Sequence, residues 1–343
     1  MKHELEPTVG ARQTLNPKLD NGVLETRALS IGYTKKSAIA VVQSDLNLTL
    51  QFGELVCLIG PNGSGKSTLL RTLSGLQKAL DGEVLFSGKN LQQLSQHELA
   101  LTLAMVLTDR VDIENATVEE IVRTGRQPHT SWWGNMSGTD EQKVREAIES
   151  VHLQHKATQN LNELSDGERQ RVMIAKALAQ DTPVIILDEP TAHLDLPNRV
   201  EIMLLLHRLA HTTGKAILLS THELDMALQA ADRIWLIGEG QSVQCGIPED
   251  LVLNGSFNRT FQSDNYVFNT TNGNFSMNYP MAKEIAVTGD KTRMYWTLRA
   301  LARAGYKVTS DAEKTIKITE SGWEIDGKTL ETMEALLKEL SIP

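Results

Sequence analysis

The sequence predicts an α/β fold followed by a small α+β unit, and three features carry that expectation. Strand-like runs, LVCLIG, PVIILDE and KAILLST, alternate with helical patterns such as LPNRVEIMLLLHRLA and ELDMALQAA, as expected for strands covered by helices. A glycine-rich loop, GPNGSGKST at residues 60–68, joins one of these apolar runs to a helical stretch. Beyond residue 281 a second strand and helix pattern closes on a final helix with one apolar stripe, Leu330, Met333, Leu336, Leu337 and Leu340.

In chain order, residues 1–21 lack the apolar core of a signal peptide and read as a flexible leader. From Val23 the chain is β-rich, through VLETRALSIGY, SDLNLTLQFGE and LVCLIG. STLLRTLSGLQ then has helical spacing, and DGEVLFSG reads as a strand bounded by Gly82 and Gly88. Residues 93–164 change character: ELALTLAMVL, TVEEIVRTGR and EQKVREAIESVHL show i, i+3/i+4 apolar spacing and predict a mostly helical subdomain. Asn272-Gly273, set between alternating aromatic runs, predicts a hairpin within a 256–280 extension. KEIAVTG, MYWTLRALARAG, YKVTS, TIKIT and the last helix make up a tail over 281–343.

At 343 residues the chain has room for a large core and two domains. Its net charge of −9 argues against a nucleic-acid partner, which would need a basic face. Cys57 and Cys245 are too few for a disulfide framework or a zinc site, which fits a reducing, cytoplasmic setting; Cys57 reads as a small buried hydrophobe. No run reaches the ~18 apolar residues of a spanning helix, so work at a membrane would require other chains to cross it.

GPNGSGKS fits G-x-x-x-x-G-K-[ST] between a strand and a helix. Gly60, Asn62, Gly63, Ser64 and Gly65 would turn backbone N–H groups inward around a polyphosphate, assisted by the helix N-terminus. Lys66 would reach the β- and γ-phosphates, Ser67 would place its hydroxyl on Mg²⁺, and Thr68 would complete the loop. VIILDEP at 184–190 is an apolar strand that delivers two acids at its C-terminal end. Asp188 is the candidate Mg²⁺ group and Glu189 the candidate general base toward the attacking water.

The segment LSDGERQRVMIAKAL at 164–178 resembles the signature of ATP-binding cassette (ABC) ATPases, normally LSGGQ before a long helix. TAHLD at 191–195 resembles that family's D-loop, His222 its switch histidine and Tyr33 the aromatic that stacks on adenine. The resemblance spans residues 22–255 in unbroken motif order. It implies a P-loop NTPase cassette, with a RecA-like core plus helical subdomain, that binds ATP with Mg²⁺. It also implies a head-to-tail homodimer in which Ser165, Gly167 and Glu168 meet the γ-phosphate held by the other copy. His222 would touch that phosphate, and Asp195 would communicate across the dimer.

Two positions depart from the family pattern. Asp166 stands where the first glycine of the signature pair belongs; it either faces a phosphate or turns away as a helix N-cap. Thr108 in VLTDR matches the glutamine that senses Mg²⁺ and water, and its shorter hydroxyl would need a water or Asp109 to fill the gap, or hydrolysis would be slow.

TVEEIVRTGRQPHTSWWG, TAHLDLPNRVE and CGIPEDLV resemble the ATPases of ferric-siderophore, haem and cobalamin importers. That implies two copies of an integral membrane permease, an extracytoplasmic substrate-binding protein, and a place on the cytoplasmic face of the membrane. Trp132 and Trp133 suit either permease docking or the subdomain core. A soluble cassette ATPase and a nucleotide-switched binding subunit with little turnover are the rival readings. Gly289-Asp290-Lys291-Thr292 faintly resembles a phosphate loop, but a strand-to-helix turn capped by Asp290 or Thr292 is the favoured reading.

Overall fold

The computed structural model describes residues 22–35, 38–108, 115–130, 135–238, 240, 242–271 and 273–341. The leader, Asp109, Trp132, Trp133 and Asn272 lie outside the described residues. The chain forms two compact units, one up to Phe261 and one from Gln262 onward.

The first unit opens with β1 (Leu24–Lys35), β2 (Ala38–Leu46), β3 (Thr49–Leu50) and β4 (Leu55–Ile59), followed by α1 (Lys66–Leu73), β5 (Asp81–Phe86) and β6 (Lys89–Asn90). Strands β2, β1, β5 and β6 form an antiparallel sheet, with β3 paired to β1. Next come α2 (Gln96–Thr102), β7 (Leu103–Val106), α3 (Val118–Thr124), α4 (Gly138–Ser150), α5 (Asp166–Ala179) and β8 (Val184–Asp188). The unit closes with α6 (Leu196–Thr213), β9 (Ala216–Ser220), α7 (Leu224–Ala230), β10 (Arg233–Leu236), β11 (Gln244–Gly246), α8 (Pro248–Leu253) and α9 (Ser256–Thr260).

A second sheet has the order β11-β10-β4-β9-β8-β7, parallel except for β11. Every residue of β4 and β9 is buried, because helices cover both faces of a parallel sheet. Leu69, Leu70 and Leu73 of α1 pack with Val56, Leu58, Val184, Ile186 and Leu218 into one core. All the parallel strands end on the same edge of the sheet, so the loops after β4, β8 and β9 gather there.

One helical expectation is corrected. ELALTLAMVL does not continue as a helix: α2 stops at Thr102, and Leu103–Val106 form β7, parallel to β8 from Leu103–Val184 to Val106–Leu187. A strand buried on both faces is a continuous apolar run, which periodicity alone does not separate from a buried helix.

Helices α3, α4 and α5 are tied by a buried ion pair. Arg126, just after α3, donates through Nε and Nη2 to Asp140 Oδ1 at 3.0 and 2.7 Å, and through Nη1 to the Ala179 carbonyl at 2.7 Å. Asp140 Oδ2 also accepts from the Ser137 hydroxyl and backbone N–H in a capping box that starts α4. The end of α5 is thereby pinned to α3 and α4.

The second unit contains the hairpin β12 (Tyr266–Asn269) and β13 (Asn274–Met277), then β14 (Lys283–Gly289), α10 (Lys291–Arg303), β15 (Tyr306–Val308), β16 (Thr315–Ile318), β17 (Trp323–Ile325), β18 (Lys328–Leu330) and α11 (Met333–Ser341). Its sheet runs β15-β14-β16-β17-β18 around a core of Ile285, Leu301, Ile316, Ile325, Leu336 and Leu340. Leu330, expected on the last helix, lies in β18, since α11 begins at Met333. Asp290 caps α10, accepting from Arg293 N–H at 2.9 Å, so GDKT is a capped turn. Among the described residues no helix is long and apolar enough to cross a membrane.

The Ser137 hydroxyl and N–H, and then Arg126, hold the Asp140 carboxyl down at about 2, below its ordinary 3.8. A depressed carboxyl stabilises the folded state fully above its ordinary value, and that contribution disappears as pH falls through about 2. Asp140→Ala should therefore cost about 3–5 kcal/mol near neutral pH by stranding the buried Arg126 charge, and should flatten the acid limb of stability below pH 4. Urea melts of both proteins across that range check it; equal midpoints near neutral pH would rule the clamp out.

Candidate active site

Strand β4 feeds the glycine-rich loop directly. Gly65 adopts φ 105° at the start of α1, where a Cβ would lie 2.5 Å from Val42 Cγ1, so glycine is required both by conformation and by space. It supplies no side-chain cap, which leaves the first amides of α1 for an anion. At Gly60 a Cβ would sit 2.2 Å from the Ile237 carbonyl oxygen, which fixes how closely β4 and β10 approach. Lys66 folds back along the loop and donates to the Gly60 and Pro61 carbonyls at 2.8 and 3.0 Å. Burial lowers the Lys66 pKa, while Glu189 and Asp188 oppose that shift. Lysine and both acids thus share one electrostatic neighbourhood.

Buried Ser64 has a hydroxyl without a hydrogen-bond partner among the described residues, an orphan turned into the loop. Its carbonyl is held by Gln43 Nε2 at 3.2 Å, and the same amide donates to Gly238 O at 2.9 Å. Buried Gln43 therefore braces the loop from the antiparallel sheet. Tyr33, 46% exposed on β1, is tied through its hydroxyl to Thr68 Oγ1 at 2.7 Å, which places an exposed ring at the loop's exit. Ser67 follows Lys66 in the first turn of α1.

The acids stand two strands away. Ser220, at the end of β9, pairs with Leu58 of β4 on one side and Asp188 of β8 on the other. Its hydroxyl donates to Asp188 Oδ1 at 2.6 Å and accepts from Glu189 N–H at 2.9 Å. Glu189 has φ 48°, a left-handed conformation unusual for a side-chain-bearing residue, and its Oε1 meets His222 Nε2 at 2.6 Å. Thr108, just past β7, donates from Oγ1 to the Asp188 carbonyl at 2.7 Å. Lys66, Asp188, Glu189, His222 and Thr108 all sit at the C-terminal edge of the parallel sheet. Hard oxygen donors from Ser67 and Asp188 beside a lysine suit a Mg²⁺–polyphosphate pair.

The signature residues form a separate group. Ser165 is the N-cap of α5: its Oγ accepts from Glu168 N–H at 3.3 Å, and Glu168 Oε2 accepts from Ser165 N–H at 3.1 Å. Asp166 is exposed at the first helical position, so the N-cap alternative for it is corrected: the serine before it fills that role. Lys156 Nζ donates to Glu168 Oε1 at 2.6 Å and is the leading cause of its lowered pKa. Gly167 is buried against Asn198 of α6, whose Oδ1 would lie 2.4 Å from a Cβ there. Asn198 is in turn held by Asp195 Oδ1, the N-cap of α6, through its backbone N–H and its side-chain amide at 3.2 and 2.6 Å. Among the described residues these bonds run within the group and not to the loop at 60–68.

Sequence reasoning missed Ser220, Gln43, Asn198 and Lys156. Only Ser220 left a signal, a hydroxyl ending the apolar run AILL on a strand between two motif strands.

Comparison with known proteins adds two family matches: an ABC transporter model over residues 43–192, and an iron ABC transporter C-terminal domain model over residues 282–341. The second covers nearly all of the tail that begins at residue 281. The petrobactin import ATP-binding protein FpuC of Bacillus anthracis is 38% identical over 63% of this chain and 80% of that protein. The iron(3+)-hydroxamate import ATP-binding protein FhuC of Bacillus subtilis is 35% identical over 70% of this chain and 88% of that protein. A solved dimeric ATP-binding cassette in a post-hydrolysis state with ADP and phosphate superposes with a TM-score of 0.56, at 30% identity, over 66% of this chain and 98% of that one.

Ser220→Ala should lower nucleotide turnover about tenfold and raise the Mg²⁺ concentration needed, since Asp188 loses its orienting donor. Thr108→Val, which removes a bond to a backbone carbonyl rather than to a carboxylate, should have a smaller effect. Steady-state hydrolysis against Mg²⁺ concentration checks both; a Ser220→Ala protein with parental turnover and Mg²⁺ dependence would refute an orienting role for Ser220.

Proposed function

Since this chain belongs to the ABC transporter family, we propose that it is the ATP-hydrolysing subunit of an importer for a metal chelate of the ferric-siderophore, haem or cobalamin class. It works as a homodimer against two copies of an integral membrane permease, peripheral on the cytoplasmic face, fed by an extracytoplasmic substrate-binding protein. The observation that carries the reading is the gathering of Lys66, Asp188, Glu189 and His222 on one edge of a parallel sheet. The import names of its relatives and the iron-transporter type of its tail support the cargo class.

In this reading Lys66 exchanges the Gly60 and Pro61 carbonyls for the β- and γ-phosphates of ATP. Tyr33 offers its exposed ring to the adenine. Ser67 and Asp188 would hold Mg²⁺, which would supply charge neutralisation at the phosphoryl oxygens. Glu189 orients the attacking water and takes its proton, and His222 moves from that carboxylate to the γ-phosphate. Ser165, Gly167 and Glu168 complete the site of the opposite copy, while Asp195, bonded to Asn198 behind Gly167, reports between the halves.

Glu189→Gln should retain ATP binding and cut turnover about 10²–10⁴-fold. With less repulsion near the γ-phosphate, an ATP-bound dimer should accumulate on size exclusion. A monomer in saturating ATP would count against the head-to-tail arrangement, and hydrolysis indifferent to a co-expressed permease would count against the importer.

A further inference from the structure

A cluster of metal-ligating side chains lies outside the nucleotide site, on the first unit. His207 and His211 are four residues apart on α6 and so share one face, with ring centroids 4.4 Å apart. Asp232, just before β10, faces them, its Oδ1 3.0 Å from His211 Nε2. One ligand atom from each of the three lies within 4.8 Å of the others. Four-coordinate zinc needs its ligands about 3.4 Å apart at bond lengths of ~2.1 Å, so small side-chain rotations close the set around one ion.

The surroundings favour a cation here. Asp232 is held on both sides by Leu55: its Oδ2 accepts from Leu55 N–H at 2.8 Å, and its own N–H donates to Leu55 O at 2.9 Å. That fixes the carboxylate as an outer-shell partner would, and leaves Oδ1 turned to the histidines. The nearby cations are engaged elsewhere, Arg233 with Glu54 at 2.8 Å, Arg208 with His152 at 3.0 Å, and Lys215 with Asp181 at 3.1 Å. His207 and Asp232 are half-buried and His211 is exposed, so an ion would have an entry path and a position for water.

We propose that His207, His211 and Asp232 form a binding site for a divalent transition cation of the zinc class, which clamps the last turns of α6 to the starts of β10 and β4. Two imidazoles and one carboxylate suit zinc, nickel or cobalt, whereas magnesium and calcium prefer all-oxygen shells. The clamp sits at the N-terminal ends of β4 and β10, the edge opposite Lys66 and Asp188, so it stabilises the cassette without entering the ATPase chemistry.

The test uses the full chain, stripped with a chelator and free of nucleotide. Calorimetric titration with Zn²⁺ should give one ion per chain with a dissociation constant below about 100 μM. His207→Ala and His211→Ala should each weaken it about tenfold or more, and Zn²⁺ should raise the parent's melting temperature by a few degrees but not that of the double variant. Co²⁺ should give the intense visible absorption of a four-coordinate site in the parent alone. Mg²⁺-dependent hydrolysis by the variants should match the parent. Weaker binding than that limit in the parent, or unchanged Zn²⁺ affinity in the double variant, overturns the site.

Discussion

The rest of the structure depends on the parallel pairing of β4, β9 and β8. Because β9 lies between the other two, one residue at its end, Ser220, is level with Leu58 beside the phosphate loop and with Asp188 on the acidic strand. A parallel sheet holds this register only when buried on both faces, and the apolar β4 and β9 meet that condition. A slip of one residue would invert the side chains and carry Asp188 to the wrong face.

Several charged and polar groups named above are paired within the chain. Lys66 donates to the loop carbonyls, Glu189 to His222 is a direct contact, and Ser165 is bonded to Glu168. A buried charge or donor left alone would be costly, so these internal partners stabilise the fold around them. Glu189 reaches His222 from a left-handed backbone, held by its N–H on Ser220.

The signature helix is tied at both ends. Arg126 binds its last turn through the Ala179 carbonyl, and Gly167 packs on Asn198, itself bonded to Asp195. Helices α3, α4 and α5 are therefore joined to the start of α6 through packed atoms. Salt bridges from Arg171 to Glu201 and from Arg199 to Glu223 run along the same path, from α5 to α6 and on to the segment after His222.

The sequence by itself determined the α/β class, the loop at 60–68 and the acids Asp188 and Glu189, because each is encoded by contiguous residues with local rules: glycine conformation and an apolar run ending in acids. Only the tertiary structure decided that Leu103–Val106 is a strand, since its partner β8 lies some eighty residues on in the chain. It likewise set Ser220 between Asp188 and Glu189 and Gln43 on Ser64, and joined Lys156 to Glu168 and His211 to Asp232. Such contacts join residues far apart in the chain, where no spacing or periodicity records the pairing. The cap on α5 went to Ser165 rather than Asp166 for a local reason, the glutamate three residues on, and the structure resolved an alternative that the residues alone had left open.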